Sequence, residues 1–288
     1  MQSLKLIRRR IQSVRNTQKV TRAMKLVAAA KLKRAQRDAF THRPYTDDLH
    51  DVVKRVSMRA GPTAPPLMQR RADIKSFDVL VFTSDRGLCG GFNENLLMRL
   101  LYGIEEHTSH RIGVKVFVIG KKGWQYLKRR YDNVEKMEKT SDEDNDAFHA
   151  RIAQLLVKRF LAGESDGAYA ALNRFHSASK QEPVYWDLLP LHWRGRTPDR
   201  LLNYIFEPQM DVVRDRLCLD LLKRSIAQAE LESAASELAA RMLAMDNATK
   251  NADEMIAHLT LQYNKARQSA ITAELLDIIG GANALRQS

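Results

Sequence analysis

The feature that most constrains this chain is a stretch of 71 residues, 209–279, that contains neither Gly nor Pro. Through it, apolar or small residues recur in alternating steps of three and four, which places them on one face of a helix. A helix with nearly six heptads of this pattern needs a partner helix along its length. It would be about 105 Å long, whereas a compact chain of this size has a radius of gyration of about 19 Å. The sequence therefore predicts a rod. The spaced residues are Leu231, Ala235, Leu238, Met242, Met245, Thr249, Ala252, Ile256, Leu259, Tyr263, Ala266 and Ala270.

The N-terminal segment of the same chain supplies the expected partner helix. Residues 1–43 also lack Gly and Pro, and four apolar residues near the start keep the same spacing. The pattern then slips in phase, and such a slip locally unwinds a coiled coil without ending it. Helices at opposite ends of one chain can pair antiparallel, so we expect both termini to form a coiled-coil rod. The first pattern comprises Leu4, Ile7, Ile11 and Val14, and the shifted one Val20, Met24, Val27 and Ala28.

Breaks in these patterns divide the chain into three segments. Pro44 is expected to kink or interrupt the first helix, which resumes through Asp47–Met58 and stops at Gly61. We therefore predict an N-terminal coiled-coil helix over residues 1–60, a central domain over 71–208 and a C-terminal coiled-coil helix over 209–288.

The central segment has the pattern of a small α/β domain. Phe77–Thr83 and Val114–Ile119 are continuous apolar runs, as expected of strands that are buried on both faces. Strands alternate with amphipathic stretches, which favours a Rossmann-like fold with a largely parallel sheet. The remaining expected helices are Glu94–Ile104, Gly120–Arg130 and Asp144–Ala162, and the remaining strands are Tyr169–Arg174, Val184–Leu189 and Asn203–Phe206.

Charge is distributed unevenly along this basic chain, whose net charge is +13. Residues 1–43 hold 13 Lys and Arg against one acidic residue, whereas residues 209–288 hold 9 against 11. The basic segment is either a solvated face that pairs in part with the acidic C-terminal helix, or a contact for an acidic partner such as nucleic acid or an acidic protein collar. Its cations surround the helix and no aromatic residue precedes Phe40, which argues against nucleic acid.

No residue pattern indicates catalysis, a metal site or a cofactor. The loop Gly87–Gly91 follows a strand and precedes a helix, but it reads G-x-x-G-G and lacks the lysine of a phosphate-binding loop. Nucleotide binding there remains an alternative to a tight turn in which a glycine adopts positive φ. Cys89 and Cys218 give no disulfide framework, and Cys89 is expected to be an inert, partly buried thiol. No apolar run approaches the roughly 20 residues that cross a bilayer.

Three motifs, in this order along the chain, carry a resemblance to a known family. LKLIRRRIQSVRNTQKVTRAMKLVAAAKLKRAQ (Leu4–Gln36) strongly resembles the N-terminal helix of the gamma subunit of rotary F-type ATP synthases. TSDRGLCGGFN (Thr83–Asn93) is similar to the central-domain motif of that family. ELAARMLAMDNATKNADEMIAHLTLQYNKARQSAITAELLDIIGGANAL (Glu237–Leu285) resembles its C-terminal signature. The resemblance covers essentially the whole chain.

The resemblance implies a non-catalytic rotor shaft that transmits torque between a membrane c-ring and a catalytic ring of alpha and beta subunits. The α/β domain is then expected to bind an epsilon-type subunit and the c-ring, and no nucleic acid. By position in the motifs, the expected beta-subunit contacts are Met24, Lys25, Arg241, Arg267 and Gln268. The expected contacts with the c-ring and the epsilon-type subunit are Tyr204 and Glu207.

Two departures from the family's branches bear on where the protein acts. The chain lacks the cysteine-containing insertion of the chloroplast branch, so thiol control is not expected. It also lacks the apolar start expected of a mitochondrial precursor. We therefore expect a peripheral protein on the cytoplasmic face of a bacterial plasma membrane, with the matrix face of the mitochondrial inner membrane as the alternative.

Overall fold

The computed structural model describes residues 4–59, 65–192 and 206–286. The chain divides into two compact units, residues 1–28 with 242–288, and residues 29–241. The described helices are α1 (Leu4–Arg59), a 3-10 turn (Pro66–Met68), α2 (Phe92–Ser109), α3 (Lys121–Leu127), α4 (Asn145–Leu161) and α5 (Met210–Arg286). The described strands are β1 (Ser76–Phe82), β2 (Gly113–Ile119), β3 (Val134–Met137), β4 (Gly167–Ser177) and β5 (Lys180–Leu189).

The central unit is built on one sheet with the strand order β3-β2-β1-β4-β5. The pairs β1–β2, β1–β4 and β2–β3 are parallel, and only the hairpin β4–β5 is antiparallel. The prediction of an α/β domain with a largely parallel sheet is therefore confirmed. β3 was missed because its four residues, VEKM, include two charged residues and no apolar run.

Helices cover both faces of this sheet, and alternate side chains of β1 supply the two cores. Leu80 and Phe82 point to the face that is covered by α4 and by the central-unit parts of α1 and α5. Val79 and Val81 point to the face that is covered by α2 and α3. Because both faces are buried, these strands read as continuous apolar runs in the sequence.

The expected interruption of α1 at Pro44 is wrong, since one helix runs from Leu4 to Arg59 with Pro44 inside it. Proline removes one backbone donor and normally breaks a helix interior. Here the turns that follow are anchored, because Leu49 and Val53 are 9 % and 1 % exposed in the core against the sheet. Tertiary packing therefore outweighs the local preference of proline.

The other sequence expectations fall close to the observed elements. The C-terminal helix, predicted over 209–288, is observed as Met210–Arg286 and includes Gly280 and Gly281. Of the expected strand Asn203–Phe206, residues 203–205 lie outside the described residues, and Phe206 is not in a strand. The remaining predicted strands and helices are confirmed within a few residues at each end.

In the other unit, residues 4–28 of α1 lie antiparallel to residues 242–270 of α5. Lys25 pairs with Asp246, Thr21 with Thr249, and a residue nearer the N-terminus, Gln18, with Asp253, so the partners move in opposite directions along the two helices. The buried face of α5 follows the predicted spacing, because each spaced residue from Met245 to Ala266 is buried or half-buried. The antiparallel coiled coil is therefore confirmed for this unit.

The predicted phase slip in α1 is wrong. Val20 and Val27 are 57 % and 55 % exposed, whereas Thr21 and Ala28 are 8 % and 2 % exposed. The three-four step instead continues without a break through polar residues, from Val14 to Gln18 and Thr21. The prediction chose the valines because they are apolar. The positions turned toward the other helix are instead polar residues, Gln18 and Thr21, which have hydrogen-bond partners on that helix.

Replacing Pro44 tests whether this proline destabilises α1 and whether tertiary packing keeps the helix continuous there. Pro44→Ala restores a backbone donor to the helix, and Pro44 is exposed, so no core contact is lost. We expect the variant to raise the free energy of unfolding of the central unit by about 1–3 kcal/mol. Urea unfolding of the isolated chain measures it, and a midpoint equal to or below that of the parent chain would contradict the expectation.

Candidate functional site

The coiled-coil unit is held together by a cluster of polar interhelical pairs, which we call the polar clasp. Lys25 Nζ lies 2.6 Å from Asp246 Oδ1, and the hydroxyl oxygens of Thr21 and Thr249 are 2.8 Å apart. Gln18 donates its side-chain amide to Asp253. Small and polar residues occupy positions that would be apolar in an ordinary coiled coil, and such residues fix register at a cost in stability.

In the middle pair of the polar clasp, Thr21 and Thr249, both hydroxyl donors have an acceptor within the unit. Thr21 Oγ1 lies 3.0 Å from the carbonyl oxygen of Gln18 and Thr249 Oγ1 lies 2.7 Å from that of Met245. One hydroxyl therefore donates to its own helix while the other donates across to its partner. A polar pair whose donors all have acceptors can be buried without loss of stability. Removing one partner leaves the other group without its hydrogen bond and lowers the free energy of unfolding.

Asp246 lies between two cations at the end of the polar clasp. Its other oxygen is 3.1 Å from Lys250 Nζ on the same helix. Hydrogen bonds from Lys25 and then from Lys250 lower the pKa of Asp246 below its ordinary value of 3.8. The proposed contact residue Lys25 is thus already engaged within its own chain, with its side chain 41 % exposed. Its neighbour Met24 is half-buried beside it.

Beyond the clasp, the last part of α5 has no helix partner within the described part of the chain. Burial on the facing side ends at Ala266, and every described side chain from 267 to 279 is exposed, including Ala270. Arg267 and Gln268 stand at the start of this stretch and point into solvent, as predicted. Five large apolar side chains follow on the same stretch and are 45–64 % exposed: Ile271, Leu275, Leu276, Ile278 and Ile279.

Arg241, in the central unit, is engaged with its own chain. Its Nη1 lies 2.5 Å from Glu237 Oε1, one turn earlier on α5. Its Nη2 donates to the carbonyl oxygens of Arg86 and Gly87, at 3.2 and 3.4 Å. The side chain is only 14 % exposed. Sequence reasoning placed Arg241 among the contact residues but did not foresee that it holds the loop after β1.

That loop, Ser84–Gly91, is a structured turn fastened at both ends. Asn93 accepts from the backbone of Ser84 at 2.9 Å and donates to the Ser84 hydroxyl at 2.7 Å. Cys89 is 2 % exposed and packs against Phe92 and Ala240. The backbone N–H of Lys121 donates to Asp85 at 3.0 Å, so this carboxylate is also used inside the unit.

Two left-handed positions, separated by one residue, shape the tip of the loop. Gly90 has φ 57°, which confirms the prediction that a glycine of the loop adopts positive φ. Leu88 also has a positive φ, 65°, although its side chain is 62 % exposed. A left-handed conformation costs a residue with a side chain about 1–2 kcal/mol. The positive φ of Leu88 was not predicted, because the loop contains three glycines that accept such a conformation more readily.

The predicted contacts for the c-ring and the epsilon-type subunit are only partly described. Glu207 is exposed just before α5, while Tyr204 lies outside the described residues. Glu207 belongs to the central unit, whereas Met24, Lys25, Arg267 and Gln268 belong to the other unit.

Neither cysteine is poised for redox chemistry. Cys218 is 1 % exposed, and burial raises the pKa of its thiol to about 12. Cys89 is also unpaired, and it is more fully buried than the partly buried thiol that was expected. Within residues 4–59, 65–192 and 206–286, no cluster of His, Cys, Asp and Glu has the arrangement of a metal site. None of the helices in those ranges combines the length and the apolar character of a membrane span.

Solved structures with the same fold are rotor proteins. The rotor of the Euglena gracilis mitochondrial ATP synthase superposes with a TM-score of 0.65 at 18 % identity, covering 93 % of this chain and 98 % of that one. A chain from the central stalk and c-ring of the Tetrahymena thermophila mitochondrial ATP synthase gives a TM-score of 0.61 at 23 % identity, over 80 % and 99 % of the two chains. At these identities the likeness establishes the fold, which combines long terminal helices with a small α/β domain.

Sequence comparison assigns the family. The family described as ATP synthase matches residues 3–285. An ATP synthase gamma chain of Geobacter metallireducens is 40 % identical over 287 residues, covering 99 % of this chain and all of that one. One of Anaeromyxobacter sp. (strain Fw109-5) is 43 % identical over 296 residues, with the same coverage. The chain belongs to the ATP synthase gamma-chain family.

The threonine pair of the clasp can be tested against a matched exposed threonine. Thr21→Val removes one partner from a buried pair, and we expect a loss of about 0.5–1.5 kcal/mol. Thr17→Val is the control, because Thr17 is exposed and its hydroxyl donates only to Ser13 of its own helix. Amide hydrogen exchange across residues 10–28 measures the difference. Equal effects of the two variants would show that the hydroxyl contact across the helices contributes nothing.

The ion pair at Asp246 predicts how the coiled coil responds to acid. Because the folded-state pKa is lowered, its contribution is present above the ordinary value of 3.8 and is lost as pH falls through the lowered pKa. We expect exchange protection of residues 18–28 to decline in that window. In Lys25→Gln the carboxyl titration of Asp246, followed by NMR, should move upward. A titration that stays where it is in the parent chain would exclude Lys25 as the main cause.

Proposed function

We propose that this chain is the central rotor shaft of an F-type ATP synthase. It transmits torque between a c-ring in the membrane and a catalytic head of alpha and beta subunits, and it performs no catalysis itself. The proposal rests on family membership and on one structural observation: a two-helix coiled coil whose two helices present different charges around its axis.

That charge difference is large. Residues 4–28 contain no acidic residue, and their cations other than Lys25, which include Arg8, Arg15 and Arg22, are exposed around the helix. The facing part of α5 carries carboxylates at Asp246, Asp253 and Glu254. A rotating element can drive a neighbouring site only if its contact energy differs between orientations. A shaft that is basic on one side and mixed on the other meets that requirement.

The single-helix end of α5 fits the same role. A stretch with five exposed apolar side chains is unfavourable in water, and exposed patches of this kind mark interaction sites. We propose that the surrounding alpha and beta subunits form a sleeve that covers residues 267–279. Apolar contacts have no preferred direction, so a sleeve can hold the tip while it turns.

The contact residues follow from this arrangement. We propose that Met24, Lys25, Arg241, Arg267 and Gln268 serve beta-subunit contact, the last two directly from an exposed helix surface. We propose that Tyr204 and Glu207 serve contact with the c-ring and the epsilon-type subunit. The functional segments are residues 1–60 and 209–288 for the shaft and 71–208 for the domain that joins the ring.

The location follows from the partners. We propose that the protein is peripheral, held at the cytoplasmic face of a bacterial plasma membrane through its complex. The two bacterial relatives described above support this choice over the matrix face of a mitochondrial inner membrane.

The exposed pair at the start of the single-helix stretch offers the sharpest test. The variant carries Arg267→Ala and Gln268→Leu in the reconstituted complex, with ATP hydrolysis and ATP-driven proton pumping measured together. A charge-assisted hydrogen bond contributes about 1.5–3 kcal/mol, so we expect shaft binding to weaken by about 10- to 150-fold and pumping per ATP to fall with it.

The matched control changes one glutamine and one cation on the exposed face of a helix in the central domain. Gln154→Leu with Lys158→Ala lies on α4, where both side chains face solvent. We expect the complex with this control to assemble and pump normally. The isolated chains of both variants should lose their helical circular dichroism at the same temperature as the parent chain. Normal hydrolysis and pumping by the Arg267 and Gln268 variant would contradict the proposed contact.

A further inference from the structure

A polar cleft in the central unit lies where both long helices approach β5, an edge strand of the sheet. Its wall is formed by α1 at Thr46 and Asp47, by β5 at Trp186, and by α5 at Ser225 and Gln228. All of these residues belong to the unit 29–241. The cleft has a volume of about 210 Å³, and none of the residues that line it is among the subunit contacts proposed above.

Gln228 gives this cleft an unused hydrogen-bonding group. The residue is only 7 % exposed, yet neither the nitrogen nor the oxygen of its side-chain amide has a hydrogen-bond partner in the described part of the chain. A buried amide without partners lowers stability, so such groups are rare in folded proteins. Its surroundings shield the amide from solvent, so a small rotation of the side chain toward the cleft must accompany binding of a ligand.

The chemistry of this amide narrows the class of ligand. A glutamine side chain offers one acceptor and two donors, and a planar group that matches it is the adenine edge formed by N6 and N7. Trp186, which is half-buried in the cleft wall, supplies an aromatic surface on which a base can stack. The two residues together therefore favour a purine base.

The size of the cleft agrees with a base rather than a larger group. A cavity of roughly 150 Å³ holds one benzene ring, and sites for drug-sized ligands span roughly 300–1,000 Å³. At about 210 Å³ the cleft suits one bicyclic base, with the rest of the ligand at its open side.

The charges around the cleft limit what can be attached to the base. Arg174 is exposed at the cleft and can pair with one phosphate group. Asp47 and Asp187 also line the cleft; they would repel a longer polyphosphate, whereas carboxylates suit the hydroxyl groups of a ribose. Burial, and then the Arg70 cation, lower the pKa of His192, so this imidazole adds no positive charge at neutral pH. A nucleoside with a single phosphate fits these charges best.

We propose that this cleft binds a purine nucleoside monophosphate, with Gln228 pairing with the edge of an adenine base, Trp186 stacking on it and Arg174 pairing with the phosphate. The bound base contacts α1, β5 and α5 together, and so it stabilises the packing of the long helices against the sheet. The inference goes beyond the shaft proposal and does not depend on it.

The test titrates the full isolated chain with adenosine monophosphate in a calorimeter, so that no catalytic subunit supplies a nucleotide site. We expect saturable binding at one site, and binding of cytidine monophosphate that is weaker by about tenfold, because a pyrimidine lacks the N6 and N7 edge. Equal affinities for the two nucleotides would overturn the proposal. Absence of saturable binding would also overturn it, and the cleft would then hold ordered water only.

Gln228→Met removes the amide and keeps a flexible side chain of similar length. We expect the affinity for adenosine monophosphate to fall about tenfold. The melting temperature of the free chain should stay or rise, because an unpaired buried polar group is lost. Gln154→Met on the exposed face of α4 is the control and should leave the affinity unchanged. Parent affinity in Gln228→Met would overturn the proposal, and so would a large fall in its melting temperature, since the amide would then already serve the fold.

Arg174→Gln separates the phosphate from the base. We expect this variant to bind adenosine monophosphate several-fold more weakly than the parent chain and to bind adenosine as the parent does. Equal losses for adenosine and its monophosphate would contradict the orientation in which Arg174 pairs with the phosphate.

Discussion

The pairing of two terminal helices through polar as well as apolar contacts underlies everything else in this protein. Residues 4–28 and 242–270 meet along a surface that is rich in alanine, threonine and charged pairs. Such a surface buries little apolar area per turn, so the helices depend on directional bonds for their register. Because few cations and large apolar side chains are used between the helices, many of them lie on the outward faces, where other subunits can contact them.

In the central unit, parts of the two long helices pack against a sheet. α4 and sections of α1 and α5 cover one face of a five-stranded sheet, and their burial is nearly complete at Val53, Leu222 and Ile226. This packing carries α1 through Pro44. The loop after β1 reaches the same section of α5, where Arg241 binds it. Hydrogen bonds therefore join the loop after the central strand β1 to α5.

Much of this followed from spacing in the sequence. The long helices, their antiparallel pairing and the α/β centre were predictable, because a sustained three-four spacing and doubly buried strands leave few alternatives. Arg267 and Gln268 were recognisable for the same reason, since they flank a spaced residue. The clasp was missed because a search for apolar residues passes over Gln18 and Thr21, whose suitability appears only when Asp253 and Thr249 stand opposite.

The sequence by itself determined the identity of the elements and the charge of each helix, since both are properties of local order along the chain. Only the tertiary structure decided how Arg241 is used, why Leu88 tolerates a left-handed backbone, and which face of α1 is buried. Those outcomes depend on groups that are 150 residues or more apart in the chain, such as Arg241 and Arg86. Contacts at that separation form only when the fold brings the two segments together, and no local pattern encodes them.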